Sequence, residues 1–195
     1  MTDDVVSLFH PATARWFRES FARPTPPQSR GWPAIAAGQN TLILAPTGSG
    51  KTLAAFLYAL DELIRRLPTE AEGTRGVHTL YLSPLKALAN DIERNLDPPL
   101  CGIRDAARSM GVELPPIHVT VRTGDTTPTE RQRMVRRPPD LLITTPESLH
   151  LLLTSIKARE MLRSVRYVIV DEIHALFGDK RGTFLSLVLE RLDAL

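Results

Sequence analysis

Two short segments carry residues whose types and spacing could do phosphate chemistry. Ala45-Pro-Thr-Gly-Ser-Gly-Lys-Thr52 follows the apolar run Thr41-Leu-Ile-Leu44, and Asp171-Glu172-Ile173-His174 follows Val168-Ile-Val170. In the first, Gly48 and Gly50 let the chain turn tightly, so that successive N–H groups face an anion. The helix expected next adds the positive end of its dipole. Lys51 would reach the β- and γ-phosphates and the Thr52 hydroxyl would ligate magnesium. Thr47, Gly48, Ser49, Gly50, Lys51 and Thr52 are therefore the expected nucleotide-binding residues. Ala45 stands where the usual pattern has glycine, and a small side chain suffices there. In the second segment Asp171 would hold magnesium through water. Glu172 would orient and deprotonate an attacking water, the protein supplying position and electrostatics rather than covalent chemistry. Alone, Asp-Glu after a strand is commonly an acidic helix start; paired with the glycine loop, the catalytic reading prevails.

The elements that must position these segments alternate along the chain. Residues 41–44 read as a buried strand, and from Lys51 to Leu67 apolar residues recur at 53, 56, 57, 60, 63, 64 and 67, which predicts a helix with one buried face. Pro68 ends it and Thr69–Gly76 reads as a polar connection. Strands are predicted at 78–82, 117–121, 141–143 and 165–170. Helices are predicted at 85–96 (stopped by Pro98-Pro99), 129–136, 146–153 and 183–195. Such alternation implies an α/β fold, a parallel sheet with helices on both faces. Residues 1–40 are aromatic and proline-rich and read as a helical cap with a loop. Trp16, Phe17, Trp32 and Tyr167 are assigned to packing.

The 195 residues suit one domain with a real core. No apolar run approaches a bilayer span, and the acidic start Met1-Thr-Asp-Asp has no signal-peptide layout. A cytoplasmic chain is expected. The single Cys101 excludes an internal disulfide and a clustered-cysteine zinc site, and with no basic neighbour before Arg104 it reads as an inert thiol. The net charge of +2 says little about partners, and although 20 of the 24 basic residues are arginine, skewed codon usage explains that as readily as phosphate binding. Arg131, Arg133, Arg136 and Arg137 spread around a helix and read as a solvated face.

The letters resemble a family. Asp171-Glu-Ile-His174 is similar to the DExH form of the superfamily-two helicases, and Phe21-Ala-Arg-Pro-Thr-Pro-Pro-Gln28 resembles their adenine-reading Q motif. Ser83-Pro-Leu-Lys-Ala-Leu-Ala-Asn90 resembles motif Ia, Arg122-Thr-Gly-Asp125 motif Ib, and Thr144-Thr-Pro-Glu-Ser148 the TPE element. The wording of these segments is closest to the Lhr (large helicase-related) group. The resemblance implies a RecA-like domain with ATP and Mg2+ as cofactors. It implies that the Gln28 amide selects adenine through paired donor and acceptor, and that His174 couples nucleotide state to a neighbouring domain. It further implies a single-stranded nucleic acid partner, DNA favoured over RNA and tracked 3′ to 5′. Pro84 and Lys86 would border one phosphate, Arg122, Thr123 and Gly124 another, and Thr145 and Pro146, opening a helix, a third. Such contacts fix register without reading bases.

The same resemblance sets expectations about what surrounds the domain. Residues 1–40 would be the cap and Q-motif segment, and 41–195 the first RecA-like domain, incomplete before the strand of the Ser-Ala-Thr motif. A second RecA-like domain would supply arginine fingers, so the chain alone should bind nucleotide poorly, turn it over little and not unwind. A gap or abnormal pairing at the centre of the sheet is expected. Two other classes remain open: a phosphate-loop ATPase that is not a helicase, against which the Q and TPE elements argue, and a non-enzymatic nucleic-acid-binding remnant, against which Lys51, Asp171 and Glu172 argue.

Overall fold

The computed structural model describes residues 4–67, 76–176, 178 and 180–195, the side chains of 86–88 and 90 excepted; Pro68 and most of the connection expected after it lie outside the described residues. The chain divides into two compact units, one of residues 1–69 and 97–116, the other of residues 70–96 and 117–195.

In the first unit, a 3-10 turn at Val5–Leu8 leads into α1 (Pro11–Ser20), α2 (Pro26–Ala36) and α3 (Lys51–Arg66). Proline at the first turn of α1 and α2 pre-sets the helical φ where no N–H is needed. His10 caps α1 through Nδ1, accepting from the Ala12 N–H at 3.2 Å. Trp32 is fully buried; its ring packs edge-on to Phe9 at 4.7 Å and to Phe17 at 5.2 Å, and its Nε1 donates to the Ala54 carbonyl at 2.9 Å. The bond fastens α2 to α3 and the rings fasten α2 to α1 and the turn before it, so Phe17 and Trp32 are core residues as expected. Trp16 lies against Gly102, where a Cβ would stand 2.2 Å from the indole nitrogen.

The strand expected at 41–44 is absent. Those residues join no ladder, and Leu42 and Leu44 are 68% and 82% exposed. Ile43 alone turns inward, close enough to α2 that a Cβ on Gly31 would meet its Cδ1 at 3.1 Å. The alternation is that of an extended segment, but a strand exists only through a neighbour's N–H and C=O groups.

The second unit is built on a four-stranded, wholly parallel sheet of order β2-β3-β1-β4, with β1 at Thr79–Leu82, β2 at Val119–Arg122, β3 at Leu141–Thr144 and β4 at Tyr167–Val170. Register places Tyr81 beside Ile143 on one side and Ile169 on the other. Every residue of β1 and β3 is buried, as central parallel strands demand, whereas β2 and β4 are edges and only partly covered. The gap or abnormal pairing expected at the centre of the sheet is not seen among the described residues: β1 and β3 are each paired in regular parallel register on both sides, and β4 closes the row as an edge strand paired with β1. Leu80, Leu82 and Leu142 join one apolar cluster with residues of α6 (Pro146–Thr154), α7 (Ile156–Glu160) and α8 (Lys180–Asp193). Between β2 and β3 lies α5 (Pro128–Arg136), opened by a capping box in which Thr127 and Glu130 bond reciprocally.

The helix expected to stop before Pro98-Pro99 does not stop. α4 runs Lys86–Ser109 with both prolines inside it. Each interior proline removes a backbone bond and costs about 3 kcal/mol. Buried Ile92 and Leu96 before the pair, and Ile103, Ala106 and Ala107 after it, hold the helical course on both sides.

Candidate nucleotide and nucleic-acid sites

The glycine loop has the geometry its letters require. Gly48 and Gly50 lie at φ +77° and +83°, left-handed conformations that other residues adopt only at a cost. Gly50 caps the 16-residue α3, whose first-turn N–H groups have no partner within the helix. The Lys51 ammonium donates to the Ala45 carbonyl at 2.6 Å, closing the loop on itself. Ser49 Oγ is buried without a hydrogen-bond partner. A backbone nest, a helix start, a lysine and an orphaned hydroxyl together fit a phosphate anion.

Gln28 belongs to the same locality. It is 3% exposed; its Oε1 accepts from the Thr25 N–H at 2.9 Å and its Nε2 donates to the Gly50 carbonyl at 3.4 Å. The expected base-reading amide therefore also caps α2 and touches the phosphate loop. One donor and one acceptor site remain to it, the number that adenine requires. Thr47 and Thr52 are exposed at the loop and at the start of α3.

In the second unit the acidic motif leaves β4, with the Asp171 N–H still bonded to the Leu82 carbonyl at 2.9 Å. Asp171 Oδ1 accepts from the Glu172 N–H at 2.9 Å, and Oδ2 accepts from the Tyr81 hydroxyl. Burial, reinforced by the hydrogen bond to Asp171, pushes the Tyr81 hydroxyl far above its ordinary pKa, so it stays a donor. Glu172 sits at φ +46°, the one non-glycine residue with positive φ among those described, and its carboxylate faces His174 Nε2 at 3.3 Å. No three described His, Cys, Asp or Glu residues form a metal-holding group. Magnesium usually takes only one or two protein oxygens, the rest coming from phosphates and water, so a single well-held carboxylate at Asp171 fits it.

Because the sheet is parallel, the segments after all four strands emerge at one edge: Ser83-Pro84 after β1, Thr123-Gly124 after β2, Thr145 after β3 and Asp171-Glu172 after β4. Thr145 caps α6, its Oγ1 accepting from the Ser148 N–H at 3.3 Å, with Pro146 opening the helix. Arg122 is only 5% exposed and donates through Nη1 to the Ser148 carbonyl at 2.6 Å, tying the end of β2 to α6 instead of presenting its charge outward. Burial, then the charge of Arg131, lowers its pKa. Thr123 is buried and Gly124 exposed. Arg131, read as part of a solvated face, instead is half-buried and donates to the Gly124 carbonyl at 2.9 Å; Arg133, Arg136 and Arg137 are exposed. Lys86 opens α4, its side chain outside the described residues.

Two residues at this edge escape a reading of the letters. Tyr81 sits inside an apolar strand, its hydroxyl the one polar tip long enough to reach the next strand's end. Arg181, at the start of α8, donates to the Pro84 carbonyl at 2.7 Å and through Nε to Glu147 at 3.0 Å.

Residues 25–195 match the family described as DEAD/DEAH box helicase. The chain is similar to the Lhr helicase/probable uracil glycosylase of Mycolicibacterium smegmatis, 56% identical over 98% of the chain and 12% of that protein. It is likewise similar to the Lhr helicase/uracil glycosylase of Escherichia coli, 53% identical over 96% of the chain and 12% of that protein. A solved structure of Mycobacterium smegmatis helicase Lhr bound to ssDNA and AMP-PNP superposes with a TM-score of 0.91 at 55% identity, covering 98% of this chain and 24% of that one. The α/β architecture is thus RecA-like. The chain spans a small part of the length of these relatives.

Proposed function

The chain belongs to the DEAD/DEAH box helicase family, and from that premise we propose that it is the ATP-binding motor domain of an Lhr-type, ATP-dependent nucleic-acid helicase. Gln28 reads the adenine; Thr47, Gly48, Ser49, Gly50 and Lys51 cradle the phosphates. Thr52 and Asp171 hold Mg2+, which when bound neutralises charge on the phosphate oxygens. Glu172 holds the attacking water and takes its proton, and His174, paired with it, passes the state of the site to a second RecA-like domain. That partner domain supplies arginine fingers worth a factor of about 10³–10⁵ in rate.

The observation that carries this reading is the shared sheet edge: the acidic pair leaves β4 where the Pro84, Thr123-Gly124 and Thr145 segments leave their own strands. Backbone groups there suit the phosphates of a single strand, with Lys86 and the Thr145–Pro146 helix start adding positive potential. DNA is the strand favoured here, because the Lhr relative so similar in structure is described as bound to ssDNA; movement 3′ to 5′ follows only from the resemblance to the Lhr group. The cytoplasm suits such an activity, and no described helix is long and apolar enough to cross a membrane.

The test is ATP hydrolysis by the intact protein with and without single-stranded DNA. We expect stimulation by the strand, loss of turnover in Lys51→Ala and Glu172→Gln, and binding that weakens steeply with salt. Turnover indifferent to DNA and RNA would overturn the helicase assignment in favour of another phosphate-loop ATPase.

A further inference from the structure

The Tyr81 hydroxyl is costly to bury. Its side chain is 1% exposed, in the middle of a central strand. A leucine or phenylalanine would fill that space without a buried polar group that must find a partner. The partner it has is Asp171. The parallel register sets Tyr81 beside Ile169, and Asp171, two residues further on and just past the end of β4, continues the alternation on the same face. A phenol is long enough to cover that diagonal.

We propose that Tyr81 is a positioning residue for the magnesium-binding carboxylate. Its hydroxyl pins Asp171 Oδ2 while the Glu172 N–H pins Oδ1, so the carboxylate plane cannot rotate. An ionised carboxylate offers about four lone-pair sites; with two taken by these donors, the other two are held in fixed directions for the water shell of the metal. A carboxylate held at Oδ1 alone would swing about its terminal bond and would meet the metal in many orientations. This inference rests on Asp171 being the magnesium residue.

The experiment is a Mg2+ titration of the binding of a fluorescent ATP analogue to the intact protein. Tyr81→Phe keeps the ring and removes only the hydroxyl. We expect its Mg2+ half-saturation to rise by about 10- to 100-fold, the usual consequence of removing a group that orients a metal ligand, with metal-free nucleotide affinity unchanged. A purely structural Tyr81 would lower the thermal midpoint and leave the Mg2+ half-saturation where it was, and that result overturns the proposal. Asp171→Asn separates the two claims: if it shifts the Mg2+ dependence and Tyr81→Phe does not, Tyr81 alone is refuted. If Asp171→Asn changes nothing, the magnesium role of Asp171 fails and the proposal with it. A second measurement needs no variant that folds. In 13C-tyrosine-labelled protein the Tyr81 ζ-carbon resonance should move when Mg2+ is added to the nucleotide complex; a resonance indifferent to the metal overturns the inference.

Discussion

Arg181 and Pro84 are joined at the sheet edge: the arginine Nη2 donates to the proline carbonyl at 2.7 Å, while its Nε bonds Glu147 at 3.0 Å. One guanidinium thus spans the segment after β1 and the first turn of α6, two of the three segments expected to carry phosphates. Its charge is already answered by Glu147, so its contribution to strand binding is to hold the two segments at a fixed spacing. Arg181→Ala should weaken single-stranded DNA binding by about 2- to 10-fold, the worth of one such hydrogen bond. The slope of log affinity against log salt should stay unchanged, because no phosphate contact is lost. Lys86→Ala should instead lower that slope by about one unit. Fluorescence anisotropy over a salt series distinguishes the two.

The same contact has a pH signature. Burial would raise the Glu147 pKa, but its own backbone N–H, Arg181 and Thr145 outweigh that and hold it below the ordinary glutamate value. A depressed carboxylate contributes at every pH above its ordinary value of about 4.3 and loses that contribution only as pH falls through the lower folded value. The part of DNA affinity that depends on Arg181 should therefore be flat above about pH 5 and vanish in stronger acid. An Arg181-dependent difference that changes between pH 6 and 8 would assign the tie to another group.

Gly50 is bound by two constraints at once. Its φ of +83° suits glycine, and a Cβ there would stand 2.7 Å from the Gln28 amide nitrogen. Gly50→Ala should displace Gln28 as well as strain the loop by roughly 1–2 kcal/mol. The expected outcome is lost nucleotide affinity together with reduced discrimination of ATP from GTP. Gln28→Ala should reduce the discrimination by about tenfold if one base contact is worth about 1.4 kcal/mol, without the left-handed strain that Gly50→Ala adds. Competition binding with the two nucleotides checks both.

How far the letters could be trusted depends on how local the cause is. The glycine loop was legible because its turn, its helix start and Lys51 lie within eight residues. The central strands were legible because burial on both faces makes β1 and β3 mostly apolar, with Leu80 and Leu82 in one and Leu141, Leu142 and Ile143 in the other. Residues 41–44 have the same composition and form no strand, since composition does not say whether a neighbour is there to pair with. Pro98-Pro99 read as a stop because the local cost is plain, whereas the packing of Leu96 and Ile103 that outweighs it is not local. Tyr81 and Arg181 were invisible for the same reason: their partners, Asp171 and Pro84, stand 90 and 97 residues away.

That contrast can be measured on stability. Leu80→Ala, in the fully buried centre of β1, should cost about 2–5 kcal/mol in denaturant unfolding. Leu44→Ala, at 82% exposure, should stay within about 0.5 kcal/mol. A cost for Leu44→Ala as large as that for Leu80→Ala would mean that residues 41–44 are covered in solution.

Glu172 offers the sharpest separation of stability from activity. At φ +46° it occupies a conformation that costs a non-glycine residue roughly 1–2 kcal/mol, and strain of this kind gathers where function requires it. The conformation turns its carboxylate toward His174. Glu172→Gly relieves the strain but loosens the unfolded chain by about 0.4–1 kcal/mol, so the folded protein should be as stable as before or more stable by up to about 1.6 kcal/mol. Glu172→Gln keeps the strain and should leave stability unchanged. Both should abolish ATP turnover while retaining nucleotide binding, since neither touches the glycine loop. Thermal unfolding beside single-turnover hydrolysis provides the comparison. Should Glu172→Gly prove markedly destabilising, the left-handed backbone would be supported by its surroundings instead of being borne for the sake of the carboxylate.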